Sequence, residues 1–480
     1  MLEASAHQQL KNLLRQEGSP RWPHHLSLSR LVARSLRRHD HTLIRLAGDG
    51  ASSWWLSLLV PIALSDDPVA LVLGEELRAR LLAVELPRLR AAGLALAVWE
   101  RAEPPPGQQL WLLEPAELVR AWRGGSLGNH QLVIPQLERI TGPLRDAMGV
   151  TITPLDWERL WRSQPAAAAS LMALHRQLGE KLVGHPGPAW RTVAVGASDE
   201  APLRQLLALL GDLPAPWPAW QACGGDDQWC SWACIDRTLL QWQLQRQPLE
   251  PLELLSDLFE NRGVVLLGGQ ASETDGLARL GLSRPVTVSL ADPPPEDPLP
   301  LYAPRRQPLP NTPIFADHLL DQCRRLVLAQ TALSVVLLDD RNLRNGLAAA
   351  LAAEFGSRVC DQTTAPEDNG VLCASWSWWL DHQQRLPLPG QVVVAMLPIA
   401  SLEDPLTAAR VGRLRQQGRD WFRELLLPEA IGRLQRGLWG LRRGNGRLAV
   451  LDGRLRGRSW GGQILRSLEP WVDLPRLLPG

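Results

Sequence analysis

Short apolar runs alternate with amphipathic segments along most of the chain. Residues 69–73 (VALVL), 131–134 (QLVI) and 263–267 (GVVLL) are nearly continuous apolar runs of strand length. Segments with helical apolar spacing, such as residues 26–42, lie between such runs. Strands that are apolar on both faces are typical of parallel sheets covered by helices. The pattern therefore predicts an α/β architecture built on parallel sheets.

The same alternation returns in the second half of the chain. Apolar runs at residues 333–338, 371–374, 392–396 and 448–451 predict further strands with helices between them. Prolines concentrated before residue 313 predict an extended crossover. The residues about 140–260 are irregular and helix-rich, which predicts a helical insertion in the first domain. We therefore expect an N-terminal helix and linker at 1–25, a first domain at 26–285, a crossover at 286–313 and a second domain at 314–480.

Chain length, net charge and apolar content limit the kinds of protein this chain could be. A chain of 480 residues is long enough for two domains with large cores. Its formal net charge of +1 creates no global attraction for a polyanion, so a nucleic-acid surface would have to be local. The N-terminus has no long apolar run, and the apolar run at 54–64 is too short to span a bilayer. We therefore expect a cytoplasmic protein with no secretory signal and no membrane partner.

Six cysteines in so long a chain do not indicate a disulfide framework. Cys223, Cys230 and Cys234 follow one another closely enough to suggest zinc, but no fourth ligand is obvious and the spacing matches no common zinc motif. Core or incidental cysteines are the preferred interpretation, so we predict no metal site. The sequence also has no G-x-S-x-G loop and no paired Cys/His motif, which argues against serine or cysteine hydrolase chemistry.

A small-residue loop follows the first apolar run. A predicted strand at 43–46 leads into this loop, and a helix at 54–64 follows it, which is the layout of a phosphate-binding unit. The alternative is an ordinary turn between a strand and a helix. The candidate nucleotide-binding residues are Gly48, Asp49, Gly50, Ala51, Ser52 and Ser53.

Two runs near the end of the chain carry a series of short motifs in a fixed order. Their positions, in chain order, are Pro389-Gly390, Leu397-Pro398, Asp404-Pro405, Leu427-Pro428-Glu429-Ala430, Gly437, Arg443, Leu451-Asp452 and Ser467-Leu468. This series resembles the C-terminal signature of DinG/XPD-type superfamily 2 DNA helicases. In that family the pattern "pG…v-I-x-L-P-F…P-x-D-P-x-x-A" comes first. A helix beginning LP-A then leads into Q-G-x-G-R-x-I-R, a strand ending LD-R and a helix ending SLP.

The resemblance implies two RecA-like parallel-sheet domains with a helical insertion in the first. It also implies ATP and Mg²⁺ as cofactors if the protein is active, single-stranded or forked DNA as partner, and a role in DNA repair or recombination. Arg443 occupies the position of a catalytic arginine finger. Trp378, Trp379, Arg436 and Arg442 are candidate nucleic-acid-binding residues, because arginine and exposed aromatic rings bind single strands by charge and stacking. The alternatives are a solvated basic turn and tryptophans that belong to the core.

Several positions depart from the family pattern. Ser52 replaces the lysine that holds the nucleotide phosphates, and Pro135-Gln136 replaces the Asp-Glu pair that binds Mg²⁺ and polarises water. Glu75 and Glu76 replace a hydroxyl-rich turn, and no cysteine lies between residues 74 and 135 for an iron–sulfur cluster. These departures predict a helicase-like protein that binds nucleic acid with weak or absent ATP hydrolysis. An active but divergent helicase and a protein-interaction scaffold are the alternatives.

Overall fold

The strands follow the apolar runs of the sequence. The computed structural model describes residues 2–17, 22–46, 54–101, 104–105, 109–184, 190–224, 227–236, 238–269, 282, 285–290 and 297–475. The strands in this part are β1 (His41–Leu46), β2 (Val69–Val72), β3 (Val98–Trp99), β4 (Leu110–Leu113), β5 (Gln131–Ile134), β6 (Val150–Ile152), β7 (Trp190–Val195), β8 (Trp229–Asp236), β9 (Gln241–Pro248), β10 (Val264–Gly269), β11 (Val286–Leu290), β12 (Leu299–Tyr302), β13 (Ser334–Leu337), β14 (Val359–Asp361), β15 (Val371–Ala374), β16 (Gln391–Val394), β17 (Arg447–Val450) and β18 (Trp471–Asp473).

Two seven-stranded parallel sheets confirm the predicted α/β, RecA-like architecture. The first sheet has the order β11-β1-β10-β5-β2-β4-β3, and the second has the order β14-β15-β13-β16-β17-β12-β18. Every pair of neighbouring strands in both sheets is parallel. The central strands β2, β5, β13 and β16 are buried along their whole length, as expected for strands covered by helices on both faces.

Helices cover both faces of each sheet and form much of the insertion. Those up to β6 are Leu2–Glu17, His25–Arg38, Trp55–Ala63, Glu75–Arg80, Leu86–Ala91, Pro115–Arg123 and Leu137–Met148. Those between β6 and β10 are Pro154–Ser163, Ala168–Gly184, Ala197–Leu209, Trp217–Ala222, Pro251–Leu254 and Ser256–Glu260. Those after β12 are Phe315–Leu328, Arg341–Phe355, Trp376–His382, Pro405–Gln416, Leu427–Gly437, Trp439–Arg443, Arg454–Gly457 and Gly461–Ser467. No helix in these described ranges is long and apolar enough to cross a membrane.

The insertion contains the expected helices and also a sheet that the helix-rich prediction did not include. This third sheet has four antiparallel strands in the order β6-β9-β8-β7. Residues 241–248 read QWQLQRQP, and their alternating burial follows the period of a strand with one face buried. That alternation was the available signal, and the surrounding Pro/Trp clusters obscured it.

The proline-rich crossover contributes a strand to each parallel sheet. β11 pairs with β1 in the first sheet, and β12 pairs with β17 and β18 in the second. The chain forms two compact units, and residues 401–421 belong to the first unit although they follow β16 of the second sheet. The domain boundaries given above divide the chain differently at this point and stay a prediction.

Two helices contain a wider π-turn immediately before a Leu-Pro pair. The π-turn Leu81–Glu85 precedes Leu86-Pro87, and the π-turn Phe422–Leu426 precedes Leu427-Pro428. Proline has no N–H to donate, and its ring crowds the carbonyl four residues earlier. A π-turn accommodates this clash by shifting the hydrogen bond to the fifth residue. Each of these two Leu-Pro motifs therefore coincides with a local widening of its helix.

The helix Pro405–Gln416, which we call the strap helix, packs on the third sheet within the first unit. Leu406 and Ala409 contact a small apolar cluster that includes Cys230 and Trp232 of β8. Two partly buried ion pairs flank this contact. They join Arg410 Nε to Glu250 Oε1 at 2.8 Å and Arg413 Nη2 to Glu253 Oε2 at 2.8 Å.

Gly437 lies at a close contact between two helices in the core of the second unit. A Cβ atom at this position would lie 2.8 Å from Cζ3 of Trp376 and 3.4 Å from Cδ1 of Trp379. The backbone carbonyl of Gly437 also accepts a hydrogen bond of 2.8 Å from Nε1 of Trp379. The helix Leu427–Gly437 can therefore approach the helix Trp376–His382 closely only because residue 437 has no side chain.

We expect reversal of the strap ion pairs to loosen the strap helix. The double variant Arg410→Glu, Arg413→Glu should lower stability by roughly 1–2 kcal/mol, because each glutamate then faces another glutamate. Backbone hydrogen exchange in residues 405–416, measured by mass spectrometry, should accelerate. Adding Glu250→Arg and Glu253→Arg restores opposite charges and should slow the exchange again. Unchanged exchange in the double variant would show that apolar contacts alone hold the helix.

We expect Gly437→Ala to lower the free energy of unfolding by about 1–3 kcal/mol, because the added methyl group overlaps the ring of Trp376. Gly346→Ala is the matched control. Gly346 also lies inside a helix, but a Cβ atom there meets nothing within 4 Å, so this variant should gain up to about 1 kcal/mol. Urea denaturation measures the free energy of unfolding of both variants. Equal stability of Gly437→Ala and the parent chain would contradict the close contact.

Candidate functional site

The carboxyl ends of four neighbouring strands form one edge of the first sheet, next to positions that the family pattern includes. β1, β10, β5 and β2 are consecutive neighbours, so their carboxyl ends share one edge. In this register Leu46, the last residue of β1, pairs with Gly269, the last residue of β10. The neighbouring pair Leu266 and Ile134 brings the end of β5 beside β10. The edge therefore brings the ends of β5 and β2, which precede two of the departures from the family pattern, beside the ends of β1 and β10.

The candidate nucleotide loop begins directly after β1. Gly48, Asp49, Gly50, Ala51, Ser52 and Ser53 lie outside the described residues, so their role stays a prediction. The structure resumes at Trp54, whose ring stacks on that of Trp55 with centroids 4.3 Å apart. Both rings are buried at the start of the helix Trp55–Ala63. The helix that follows the loop is therefore anchored in the core.

Two side chains after β5 accept hydrogen bonds from within the first unit. Gln136 has a left-handed backbone with φ 56° and is only 9% exposed. Its Oε1 accepts a hydrogen bond of 3.2 Å from Nη1 of Arg139. Glu138 is half-buried, and its Oε2 accepts a hydrogen bond of 3.2 Å from the backbone N–H of Gly269. Glu138 therefore reaches across to the end of the neighbouring strand.

Acidic side chains follow the end of β2. Glu75 is exposed and Glu76 half-buried in the first turn of the helix Glu75–Arg80. Carboxylates at a helix N-terminus are stabilised by the helix dipole. A carboxylate oxygen of Glu76 lies 3.7 Å from Nη2 of Arg139. This corner of the edge would repel the phosphate of a nucleic-acid backbone.

The three cysteines of the insertion do not converge. Cys230 and Cys234 are four residues apart on β8, which separates them by about 13 Å along the strand. Burial raises the pKa of Cys230 to about 12 and also raises the pKa of Cys223 and Cys234. Protonated thiols are poor zinc ligands. Within the described ranges no group of three or more His, Cys, Asp and Glu side chains is placed to hold a metal ion.

The second unit presents only part of its predicted arginine cluster to solvent. Arg443 is exposed, and its guanidinium lies 4.7 Å from the centre of the Trp439 ring. Arg442 instead donates a hydrogen bond to the backbone carbonyl of Leu468, and burial lowers the pKa of its guanidinium below the usual value. Arg436 is half-buried on the helix Leu427–Gly437. Arg443 and Trp439 therefore form the most accessible pair of charge and ring in this cluster.

The two predicted nucleic-acid-binding tryptophans have different environments. Trp379 is 1% exposed and packs against Gly437, so its ring is a core element and not the stacking surface that the sequence suggested. Trp378 is half-buried and stacks on the His382 ring, with centroids 4.4 Å apart and an interplanar angle of 10°. Helical spacing separates neighbours by about 100°, which is why adjacent tryptophans do not share an environment.

Two aspartates at positions that match the family pattern form hydrogen bonds within the chain. Asp452 is 1% exposed, and its Oδ2 accepts hydrogen bonds of 2.9 Å from the Leu397 N–H and 2.6 Å from Nη2 of Arg454. Asp404 caps the strap helix, since its Oδ2 accepts a hydrogen bond of 2.8 Å from the Thr407 N–H. These anchors join strand ends and begin helices, and none of these bonds requires a ligand.

Sequence reasoning missed the partner of Arg433. Asp339 follows β13, and its Oδ2 lies 3.4 Å from Nη1 of Arg433. Its Oδ1 accepts a hydrogen bond of 2.9 Å from the backbone N–H of Trp376. An Asp-Asp pair directly after an apolar run is the signal that could have indicated this contact. Arg433 is therefore partly neutralised within the second unit.

Two curated proteins are similar to part of this chain in sequence. No protein-family model matches the chain. The ATP-dependent DNA helicase YoaA of Escherichia coli (strain K12) is 36% identical over 105 residues, which are 21% of this chain and 16% of that protein. The same-named protein of Haemophilus influenzae is 33% identical over equal shares. The match therefore spans about a sixth of the length of these curated relatives.

A solved structure entitled "Structure of S. tokodaii Xpd4" superposes on this chain with a TM-score of 0.61. The superposition covers 92% of this chain and 97% of that one, at 12% sequence identity. At this identity the likeness shows a shared fold. The local sequence matches and the shared fold together support a relationship of this chain to the DinG/XPD-like helicase superfamily.

Proposed function

We propose that this chain is a helicase-like protein that binds single-stranded or forked DNA and hydrolyses ATP weakly or not at all. Its inherited setting would be DNA repair or recombination. The observation that carries the proposal is the edge of the first sheet after β5. There Pro135 and Gln136 stand where helicases of the resembled family have the acids that serve hydrolysis.

The side chains at this edge are poorly suited to hydrolysis. Pro135 has no oxygen to hold Mg²⁺, and the amide of Gln136 is neutral and bound to Arg139. Glu138 is a carboxylate, but it is engaged by the Gly269 N–H. Phosphoryl transfer depends on a positioned metal ion and an oriented water molecule. Loss of both acids is expected to reduce turnover by orders of magnitude.

The second unit offers groups for a single strand. Arg443 provides an exposed charge beside the Trp439 ring, and Trp378 keeps part of its ring accessible. Guanidinium groups bind phosphate, and aromatic rings stack on bases without sequence preference. These groups support nucleic-acid binding that does not need nucleotide turnover.

An active helicase is the second candidate. It is favoured by the 36% identity over 105 residues to a protein named as an ATP-dependent DNA helicase. In that case residues other than the replaced lysine and acids would have to hold the phosphates and the metal ion.

ATP turnover by the purified chain separates the two candidates. We expect hydrolysis that is weak or absent and not stimulated by single-stranded DNA, because the metal-binding and water-activating acids are replaced. A coupled phosphate-release assay measures it. DNA-stimulated turnover that Arg443→Ala abolishes would overturn the proposal in favour of an active, divergent helicase.

Salt-dependent binding of a fluorescent single-stranded oligonucleotide tests the second unit. Arg443→Ala should reduce the slope of log K against log salt concentration by about 0.7, the share of one phosphate contact on a single strand. Trp378→Ala should weaken binding by about 1–3 kcal/mol if its ring stacks on a base. Arg325→Ala is the control, because Arg325 is exposed in the same unit but paired with Asp321. Absence of DNA binding by the parent chain would redirect the function to a protein partner.

A further inference from the structure

The exposed side of the helix His25–Arg38 is almost entirely arginine. Its apolar side packs into the core of the first unit through residues such as Leu28 and Leu36. The exposed positions on its other side are Ser27, Arg30, Arg34, Arg37 and Arg38. A helix with about 3.6 residues per turn brings positions at this spacing onto one side. We call this surface the arginine face.

No acidic residue interrupts the arginine face. The helix His25–Arg38 contains no aspartate and no glutamate. Two other strongly exposed arginines of the first unit lie on helices and pair with an acid one turn away. These pairs are Arg120 with Glu117 and Arg162 with Glu158. Interleaved charges of opposite sign are usual for a helix whose exposed side contacts only water. The arginine face departs from that pattern.

Two arginines of the face have no structural role that accounts for their charge. Arg37 and Arg38 occupy the last turn of the helix, where the helix dipole stabilises positive charge. Arg37 Nη2 also lies 2.6 Å from a carboxylate oxygen of Glu3. Arg30 and Arg34 precede the last turn, and neither forms an ion pair within the described part of the chain. Their guanidinium groups are therefore available to a partner.

The neighbouring helix Leu2–Glu17 adds a cation beside this face. The contact of Glu3 with Arg37 joins the start of one helix to the end of the other, so the two helices run antiparallel. From this contact, Lys11 is about 12 Å along its helix and Arg30 is about 10 Å along the other, at a rise of about 1.5 Å per residue. Lys11 also has no ion pair among the described residues. The two side chains therefore lie at the same level of the helix pair.

The chemistry of these two helices fits a backbone of phosphates. Neither helix contains Phe, Trp or Tyr, and none of their large hydrophobic side chains is exposed where the structure describes them. Protein interfaces depend on a few aromatic or apolar anchors, and single strands stack their bases on aromatic rings. A duplex instead encloses its bases and presents a continuous series of phosphates, which arginine binds through parallel hydrogen bonds. Of these partners, a duplex needs only what the arginine face offers.

We propose that the arginine face binds the phosphate backbone of duplex DNA without reading its sequence. The inference rests on the proposed function in one respect, because a DNA fork has a duplex arm beside its single strands. The face lies in the first unit, at none of the positions that match the helicase pattern. Arg443 and Trp378, the groups proposed for a single strand, lie in the second unit. The two surfaces can therefore be tested separately.

Salt-dependent binding of a short blunt-ended DNA duplex to the full chain, measured by fluorescence anisotropy, tests the face. The double variant Arg30→Gln, Arg34→Gln should reduce the slope of log K against log salt concentration by about 1.8, or about 0.9 for each lost phosphate contact. The slope for a single strand of the same length should not change. The thermal unfolding midpoint should not change either, because both side chains are exposed and glutamine is a good helix former.

The matched control is the double variant Arg120→Gln, Arg162→Gln. These side chains are 76% and 75% exposed in the same unit. The control removes the same amount of charge from two separate helices, so its duplex slope should equal that of the parent chain. An equal loss of slope in the control would mean that net charge, and not the arginine face, binds the duplex, and the proposal would fail.

Two further results would overturn the proposal. One is an unchanged duplex slope in Arg30→Gln, Arg34→Gln. The other is tighter binding of poly-glutamate than of the duplex, which would assign the face to an acidic protein partner. A parent chain that binds the duplex through this face but binds no single strand would instead support this inference and remove the function proposed for the second unit.

Discussion

Parallel pairing of the strands determines where the ends of every strand in the two large sheets lie. Parallel neighbours cannot be joined by tight turns, so each crossover returns to the amino edge before the next strand begins. All carboxyl ends of one sheet therefore meet at one edge. In the first sheet this constraint gathers Leu46 at the end of β1, Gln136 after β5, Glu76 after β2 and Gly269 at the end of β10. Segments more than 200 residues apart in the chain become neighbours without any direct sequence signal.

Several positions that match the helicase pattern make contacts within the fold, whereas the positions that depart from it are ones whose partners would be ligands. Gly437 permits the close approach of two tryptophans, Asp452 binds the backbone after β16, and Asp404 caps a helix. These contacts are internal to the fold, and loss of any one would leave a clash or an unsatisfied buried group. The departures fall on residues whose partners would be a nucleotide, a metal ion or DNA. A fold can therefore keep its core while its edge changes, which is the physical basis of the proposed function.

The insertion is stabilised from both sides of its sheet. Trp157, Trp217 and Trp242 form edge-to-face contacts on one face, with ring centroids 4.8 and 5.9 Å apart for the two pairs that include Trp157. The strap helix covers Cys230 and Trp232 on the other face. This second layer comes from residues 401–421, which are distant in sequence. The apolar character of β8 on both faces follows from that double coverage.

The parallel strands follow from local sequence, since apolar runs such as residues 131–134 and 371–374 are typical of strands covered on both faces. The helicase resemblance also follows from local sequence, because its motifs are local. Packing in three dimensions, in contrast, buries Trp379 and leaves Trp378 partly accessible, and it turns Arg442 inward while Arg443 faces solvent. The assignment of residues 401–421 to the first unit is likewise a result of packing. These outcomes depend on which distant surface covers a side chain, and burial by a distant element leaves no periodic trace in the chain.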